Sequence, residues 1–250
     1  MTPKLELDGV GRAFGDTQAL APTSLAVEPG AFVSLVGPSG CGKSTLFNIV
    51  SGLTAPDEGR VLIDGRDVTG TAGNVGYMLQ RDLLVPWRSV IGNITLGAAL
   101  TRGVAEADRT QAVSFARRYG LGDFLDHYPH ALSGGMRQRV ALMRTLATNH
   151  DVLLLDEPFG ALDAQTRFEM QEWLLEVWAE TGRTVVFVTH DVDEAVFLSD
   201  RVLVMSPRPG RVVDELTIGL PRPRTLDVLV DAGFVTAKQR ILARLMGAAA

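Results

Sequence analysis

The sequence predicts an α/β fold with a β-rich opening part and a block of helices inserted into its core, and three observations carry that expectation. The first is Gly37-Pro38-Ser39-Gly40-Cys41-Gly42-Lys43-Ser44-Thr45, which lies between the apolar run Ala31 to Val36 and the helix-spaced residues Leu46, Ile49 and Val50. The second is a change to helical spacing from Val90 to Asn149. The third is the return of strand-like segments, Val152 to Leu155 and the β-branched Thr184 to Val188.

In chain order, Leu5 to Val10 alternates like a half-exposed strand, and Ser24 to Val27 reads as another before the turn Glu28-Pro29-Gly30. After the glycine loop and its helix, Pro56-Asp57-Glu58-Gly59 is a turn, followed by short strands over Arg60 to Ile63 and Val75 to Leu79. In the helical block, Ile91, Ile94 and Leu100 fit one helix, and Ala112, Phe115, Ala116 and Tyr119 fit a second. Met136, Val140, Met143 and Ala147 fit a third, with Arg137, Arg139 and Arg144 on its opposite face. Beyond the block come a helix from about Ala164 to Glu180, a short helix over Asp191 to Leu198, and strands over Arg201 to Met205 and Arg211 to Leu216. The tail from Pro221 to Ala250 is broken by prolines. Ile241, Leu242 and Leu245 suggest a last helix, and a frayed end is expected at Ala248 to Ala250. The expected division is 1–86, 87–149, 150–220 and a tail 221–250.

The glycine loop fits the phosphate-loop pattern, a glycine, four residues, then Gly-Lys-Ser. Glycines let the backbone approach phosphate oxygens, and their amides form an anion nest with the first turn of the following helix. Lys43 supplies a point charge for terminal phosphates, and Ser44 a hydroxyl for Mg2+. A buried strand that ends in two acids, Val152-Leu153-Leu154-Leu155-Asp156-Glu157, is costly unless the acids have work to do. Asp156 is therefore expected to hold Mg2+ opposite Ser44, with Glu157 placed to orient or deprotonate an attacking water. In Leu132-Ser133-Gly134-Gly135-Met136-Arg137-Gln138, Ser133 suits an N-cap and the glycines leave helix-start amides uncovered. Taken alone, such a segment is more often a structural helix start than a functional one, and the rest of the chain decides.

The chain has 250 residues, 46% apolar and 21% charged, which is ample for a full core of one large domain or two packed lobes. Its net charge of -5 argues against a dedicated nucleic-acid binder. Cys41 is the single cysteine, so there is neither a disulfide within the chain nor a thiol-rich metal site. Met1 to Glu6 lacks the apolar core of a signal peptide, from which a cytoplasmic location is expected.

Taken together, the phosphate loop, Gln80, the Leu132 to Gln138 segment, Asp156-Glu157, Ala161-Leu162-Asp163 and His190 stand in the order found in ATP-binding subunits of the ABC transporters. Residues 5 to 220 resemble that family. The resemblance implies a P-loop NTPase core of the ABC ATPase type, with a β-rich N-terminal subdomain and an inserted α-helical subdomain, that hydrolyses ATP with Mg2+. It implies that Phe14 stacks on adenine, where tyrosine is commoner and a plain core phenylalanine is the alternative. Gln80 then contacts Mg2+ and the water, and His190 donates to the γ-phosphate. Ser133, Gly134, Gly135 and Asp163 are implied to complete the site of a second copy in a head-to-tail dimer.

The segment Gln80 to Val90, with Val85-Pro86-Trp87, is similar to the nitrate, sulfonate and taurine importer ATPases. Met136 and the stretches Met205 to Arg211 and Leu220 to Arg224 are similar to them too. The partners this implies are integral-membrane permease subunits, a second ATPase subunit and, indirectly, a periplasmic or extracellular solute-binding protein. The implied place is the cytoplasmic face of the membrane. Trp87 is expected either to meet the permease or to pack the helical block. The alternatives in function are a soluble ABC ATPase acting on DNA or ribosomes, an exporter subunit, or a phosphate-loop kinase that would leave the Ser133 segment unexplained.

Overall fold

The computed structural model describes residues 2–247 and has an α/β fold. The end at Ala248 to Ala250 lies outside the described residues. The described residues form two sheets. Strands β1 (Leu5–Phe14), β2 (Thr17–Val27), β4 (Glu58–Ile63) and β5 (Arg66–Asp67) make an antiparallel sheet in the order β2-β1-β4-β5. Strands β3 (Phe32–Val36), β6 (Gly76–Met78), β7 (Val152–Asp156), β8 (Thr184–Val188), β9 (Arg201–Met205) and β10 (Val212–Thr217) make the second, in the order β10-β9-β3-β8-β7-β6. All its pairings are parallel except β10 with β9.

The central strands β3, β7 and β8 are buried along their whole length, as a parallel sheet covered on both faces requires. Their side chains alternate between two cores. Val33, Leu35, Val152, Leu154, Val186 and Val188 face a core shared with Leu46, Phe47 and Ile49 of α1 (Lys43–Val50) and with Leu5 and Leu7 of the antiparallel sheet. Phe32, Val36, Leu153, Leu155, Val185 and Phe187 face the other. That second core takes Val140 and Met143 from α5 (Gly134–Leu146), Trp173 and Leu174 from α6 (Ala164–Thr181) and Val196 and Phe197 from α7 (Val192–Leu198). Fully burying each such side chain stabilises the fold by about 1.5–3 kcal/mol.

The first two strands are longer than expected, because β1 and β2 pair along their length with register shifts that the alternation of apolar residues does not announce. The single helix expected over Ile91 to Leu100 is two, α2 (Val90–Ile94) and α3 (Leu96–Thr101). Thr95 marks the break. Its hydroxyl donates back to Ile91 O at 2.9 Å, a bond that bends helices, and Leu100 is left 76% exposed. The next helix, α4 (Glu106–Arg118), buries Ala112 and Ala116 as the spacing predicts. The arginines of α5 do not form a solvated face. Arg137 meets Asp82, Arg139 donates to Tyr119 O, and Arg144 donates to Asp82 O and Leu83 O. The tail is part of the fold: α8 (Ala232–Gly247) buries Phe234 and Ile241. Among the described residues, no helix is long and apolar enough to cross a membrane.

Asn93 of α2 ties the preceding loop to the helical block. Fully buried, it accepts from the Val85 amide at 2.8 Å and directs its own amide to Val85 O, Arg88 O and Ser89 O. Asn93→Ala leaves these backbone groups unpaired and is expected to destabilise the chain by about 2–3 kcal/mol in urea unfolding. An unchanged midpoint would contradict this role.

Candidate functional site

β3 runs directly into the glycine loop, and α1 begins at Lys43. Gly42 adopts φ 103°, and a Cβ there would lie 2.8 Å from Ala19 O, so both conformation and space require glycine. The side chain of Lys43 is folded over its own loop and donates to Gly37 O at 2.7 Å and Pro38 O at 3.1 Å, with Cys41 Sγ at 3.6 Å. Cys41 is buried.

Strands β7 and β8 bring the acids and the histidine to the same end of the sheet. Asp156 is only 4% exposed and accepts a hydrogen bond from Ser44 Oγ at 3.1 Å. Burial pushes its carboxyl above the usual range; the Ser44 hydrogen bond opposes this, the charge of Glu157 adds to it, and Lys43 opposes it. Glu157 sits at φ 48°, a left-handed conformation that costs a non-glycine residue about 1–3 kcal/mol. The strain holds because its amide donates to Val188 O at 2.9 Å. The carboxylate is gripped from two sides, by Gln80 Nε2 at 2.9 Å from Oε2 and by His190 Nδ1 at 3.3 Å from Oε1.

Ser39 to Thr45, Gln80, Asp156, Glu157 and His190 thus line one cleft of about 300 Å³. Gly37 and Pro38 lie at its root and contribute carbonyls to Lys43. The cleft also has a wall that sequence reasoning missed, in Ala19, Val188 and Arg208. Arg208 donates to Gly40 O from Nε at 3.3 Å and Nη2 at 3.2 Å. It is carried there by the pairing of β9 with β3 and by the bridge of Leu20 to Gly210. The sequence singled out Met205 to Arg211 only as a stretch similar to the importer ATPases.

Phe14, Ser133, Gly134, Gly135 and Asp163 are not among the cleft's lining residues. Phe14 is 51% exposed under the guanidinium of Arg12, 5.0 Å from the ring centroid, so it is not a core residue. Ser133 caps α5 by accepting from the Met136 amide at 3.2 Å. A Cβ on Gly135 would lie 3.2 Å from Leu162 Cδ2, so this helix start and the Ala161-Leu162-Asp163 loop are neighbours. Asp163 caps α6 through the Thr166 amide at 3.0 Å. Trp87 is 77% exposed rather than packed into the helical block. His150 Nε2 lies 3.0 Å from Gly73 O, away from the cleft.

The donor set at the head of α1 suits Mg2+. Ser44 Oγ and Asp156 Oδ2 are hard oxygens on opposite elements, and Mg2+ is commonly held by one or two protein oxygens with phosphate and water completing the shell. Among the described residues, no group of three or more His, Cys, Asp or Glu side chains gathers into a self-sufficient metal cage. The chemistry on offer is therefore binding of an anionic chain of phosphates beside a positioned carboxylate.

Comparison with known proteins agrees with that geometry. The ABC transporter family model matches residues 20–160. The taurine import ATP-binding protein TauB of Rhizobium johnstonii is 47% identical over 205 residues, 82% of this chain and 78% of that protein. An uncharacterised ABC transporter ATP-binding protein of Methanocaldococcus jannaschii is 46% identical over 229 residues, 90% of this chain and 85% of the relative. Among solved structures, a dimeric ATP-binding cassette in a post-hydrolysis state bound to ADP and Pi matches with a TM-score of 0.76 at 33% identity, covering 86% of this chain and 98% of that one. The family match takes in the phosphate loop and the Asp156-Glu157 strand end, and the chain belongs to the ABC transporter family as one of its ATP-binding ATPase subunits.

Proposed function

We propose that this ATPase drives an importer for a small anionic solute of the nitrate, sulfonate or taurine type, acting on permease subunits from the cytoplasmic face of a membrane. The observation that carries the chemistry is Glu157, held between Gln80 and His190 beside the Asp156–Ser44 pair. Loop amides of Gly37 to Thr45 and the Lys43 ammonium bind the phosphates of ATP. Ser44 and Asp156, with the Gln80 amide nearby, hold Mg2+, which when bound neutralises charge on the phosphate oxygens. Glu157 orients the attacking water and accepts its proton. Gln80 fixes the carboxylate of Glu157, and His190 approaches the γ-phosphate from the end of β8. Phe14 offers adenine an exposed ring face.

Ser133, Gly134, Gly135 and Asp163 stand clear of the chain's own cleft, which supports their use in the site of a second copy arranged head to tail. Trp87 and Leu83 are exposed on the loop that Arg137 and Arg144 hold, which supports a permease contact there. A solute-binding protein outside the membrane serves the same permease. The taurine import relatives support the direction of transport and the class of solute.

Glu157→Gln is expected to bind ATP as the parent does and to hydrolyse it about a hundredfold more slowly in steady-state assays. Recovered with Mg-ATP from solubilised membranes, the same variant should bring a multispanning permease. Parental turnover, or ribosomes or DNA-bound proteins without a membrane subunit, would overturn the reading.

Asp156→Asn separates stability from chemistry. The carboxyl's raised pKa means that the fold holds its proton more tightly than the unfolded chain does. Its contribution to stability is therefore complete at low pH and lost as pH rises through the folded-state titration. In the nucleotide-free protein, Asp156→Asn should remove that loss and raise the unfolding midpoint at neutral pH, while abolishing Mg2+-dependent hydrolysis. A lower midpoint would contradict the assignment.

A further inference from the structure

The imidazole of His190 is 67% exposed and makes one polar contact with a side chain, to Glu157 at 3.3 Å. What directs it lies below the surface. The preceding residue, Thr189, is 1% exposed, and its hydroxyl donates to Glu194 Oε2 at 2.6 Å. The same hydroxyl oxygen accepts from the Asp191 amide at 3.0 Å. His190 is therefore flanked on both sides by groups that converge on one oxygen.

Glu194 is itself buried, at 7% exposed, on the first turn of α7. Its Oε1 accepts from Gln171 Nε2 of α6 at 3.2 Å. Arg167 lies 3.8 Å from both Glu194 and Asp191, and its Nη2 donates to Leu162 O at 3.1 Å. Asp191 Oδ1 caps α7 through the amides of Asp193 and Glu194. A cavity of about 30 Å³ lies between Glu157, Thr189, His190, Glu194 and Arg167, polar and of a size for one water. A buried carboxyl group is expensive, and the cleft chemistry described above makes no use of this one. Its partners Thr189 and Arg167 line the same small cavity as His190.

We propose that Glu194 and Thr189 are positioning residues: their buried hydrogen bond fixes the turn Thr189–Asp191 and thereby aims His190 at Glu157 and the γ-phosphate. This rests on the role given to His190 above. A displacement of about an ångström at a reacting group can cost up to a hundredfold in rate, so loss of the hydroxyl should act on turnover rather than on nucleotide affinity.

The test uses the full chain and compares Thr189→Val, which keeps the shape and deletes the hydroxyl, with Thr189→Ser, which restores it. Thr189→Val is expected to lower kcat about tenfold with KM for Mg-ATP within about twofold, and Thr189→Ser to recover most of the loss. In a His190→Ala background, single-turnover hydrolysis should show no further fall on adding Thr189→Val; an independent further fall would overturn the proposal.

NMR of histidine-labelled protein gives a second readout, since the chain has four histidines. The signal that vanishes in His190→Ala should shift in Thr189→Val and return in Thr189→Ser, with the other three unmoved. An unmoved His190 signal would overturn the proposal. Parental turnover in His190→Ala would instead defeat the catalytic reading of His190, while the spectrum still reports whether Thr189 holds its ring. Should Thr189→Val not fold, Glu194→Gln leaves a single acceptor for Thr189 and Gln171, and it should lower kcat and shift the same signal; no change in either would count against the proposal.

Discussion

The hydrogen bond between Ser44 and Asp156 joins residues 112 positions apart and is the point on which the site depends. It exists because the parallel order β3-β8-β7 leaves α1, which leaves the tip of β3, lying over β7. An isolated carboxylate at the end of a fully buried strand is unfavourable, and the raised affinity of Asp156 for its proton registers that. A divalent cation bound at this place reverses the sign of the interaction. The strained backbone of Glu157 is a consequence of the same geometry: the chain turns sharply at the strand tip, so that one acid faces Ser44 and the next faces Gln80 and His190.

Much of this was legible in the sequence, because the responsible residues are local. The phosphate loop is a single stretch with its strand and helix on either side, and Asp156-Glu157 and His190 each end an apolar strand. The wall formed by Arg208 was not legible. Nothing in the turn between Pro207 and Pro209 says that β9 will lie beside β3, and a partner 168 residues away is a property of topology. The grip of Glu194 on Thr189 was equally hidden, since a glutamate near a helix start usually reads as a solvated residue that favours the dipole. The break at Thr95 escaped because helical spacing continues across it, while the hydroxyl bond that bends the chain leaves no trace in the periodicity.

The cleft and the remaining candidate residues divide along an informative line. Ser39 to Thr45, Gln80, Asp156, Glu157 and His190 line one cleft of one chain. Ser133 to Gly135 and Asp163 form a second cluster, with the Gly135 helix start against the Asp163 loop, outside that cleft. Two separate clusters on one chain suit the proposal that a complete site forms when two chains meet head to tail. Phe14 and Trp87 are large rings exposed on the same chain, as the proposed nucleotide and permease contacts require.

The central claim, that the Ser133 helix start completes the phosphate cleft of another copy, is tested most directly by light scattering of Glu157→Gln during size exclusion. With ATP the mass should double relative to the ADP-bound chain, and adding Ser133→Arg should return it to that of a single chain. A single-chain mass at saturating ATP, or an ATP-dependent dimer indifferent to Ser133→Arg, would contradict the account.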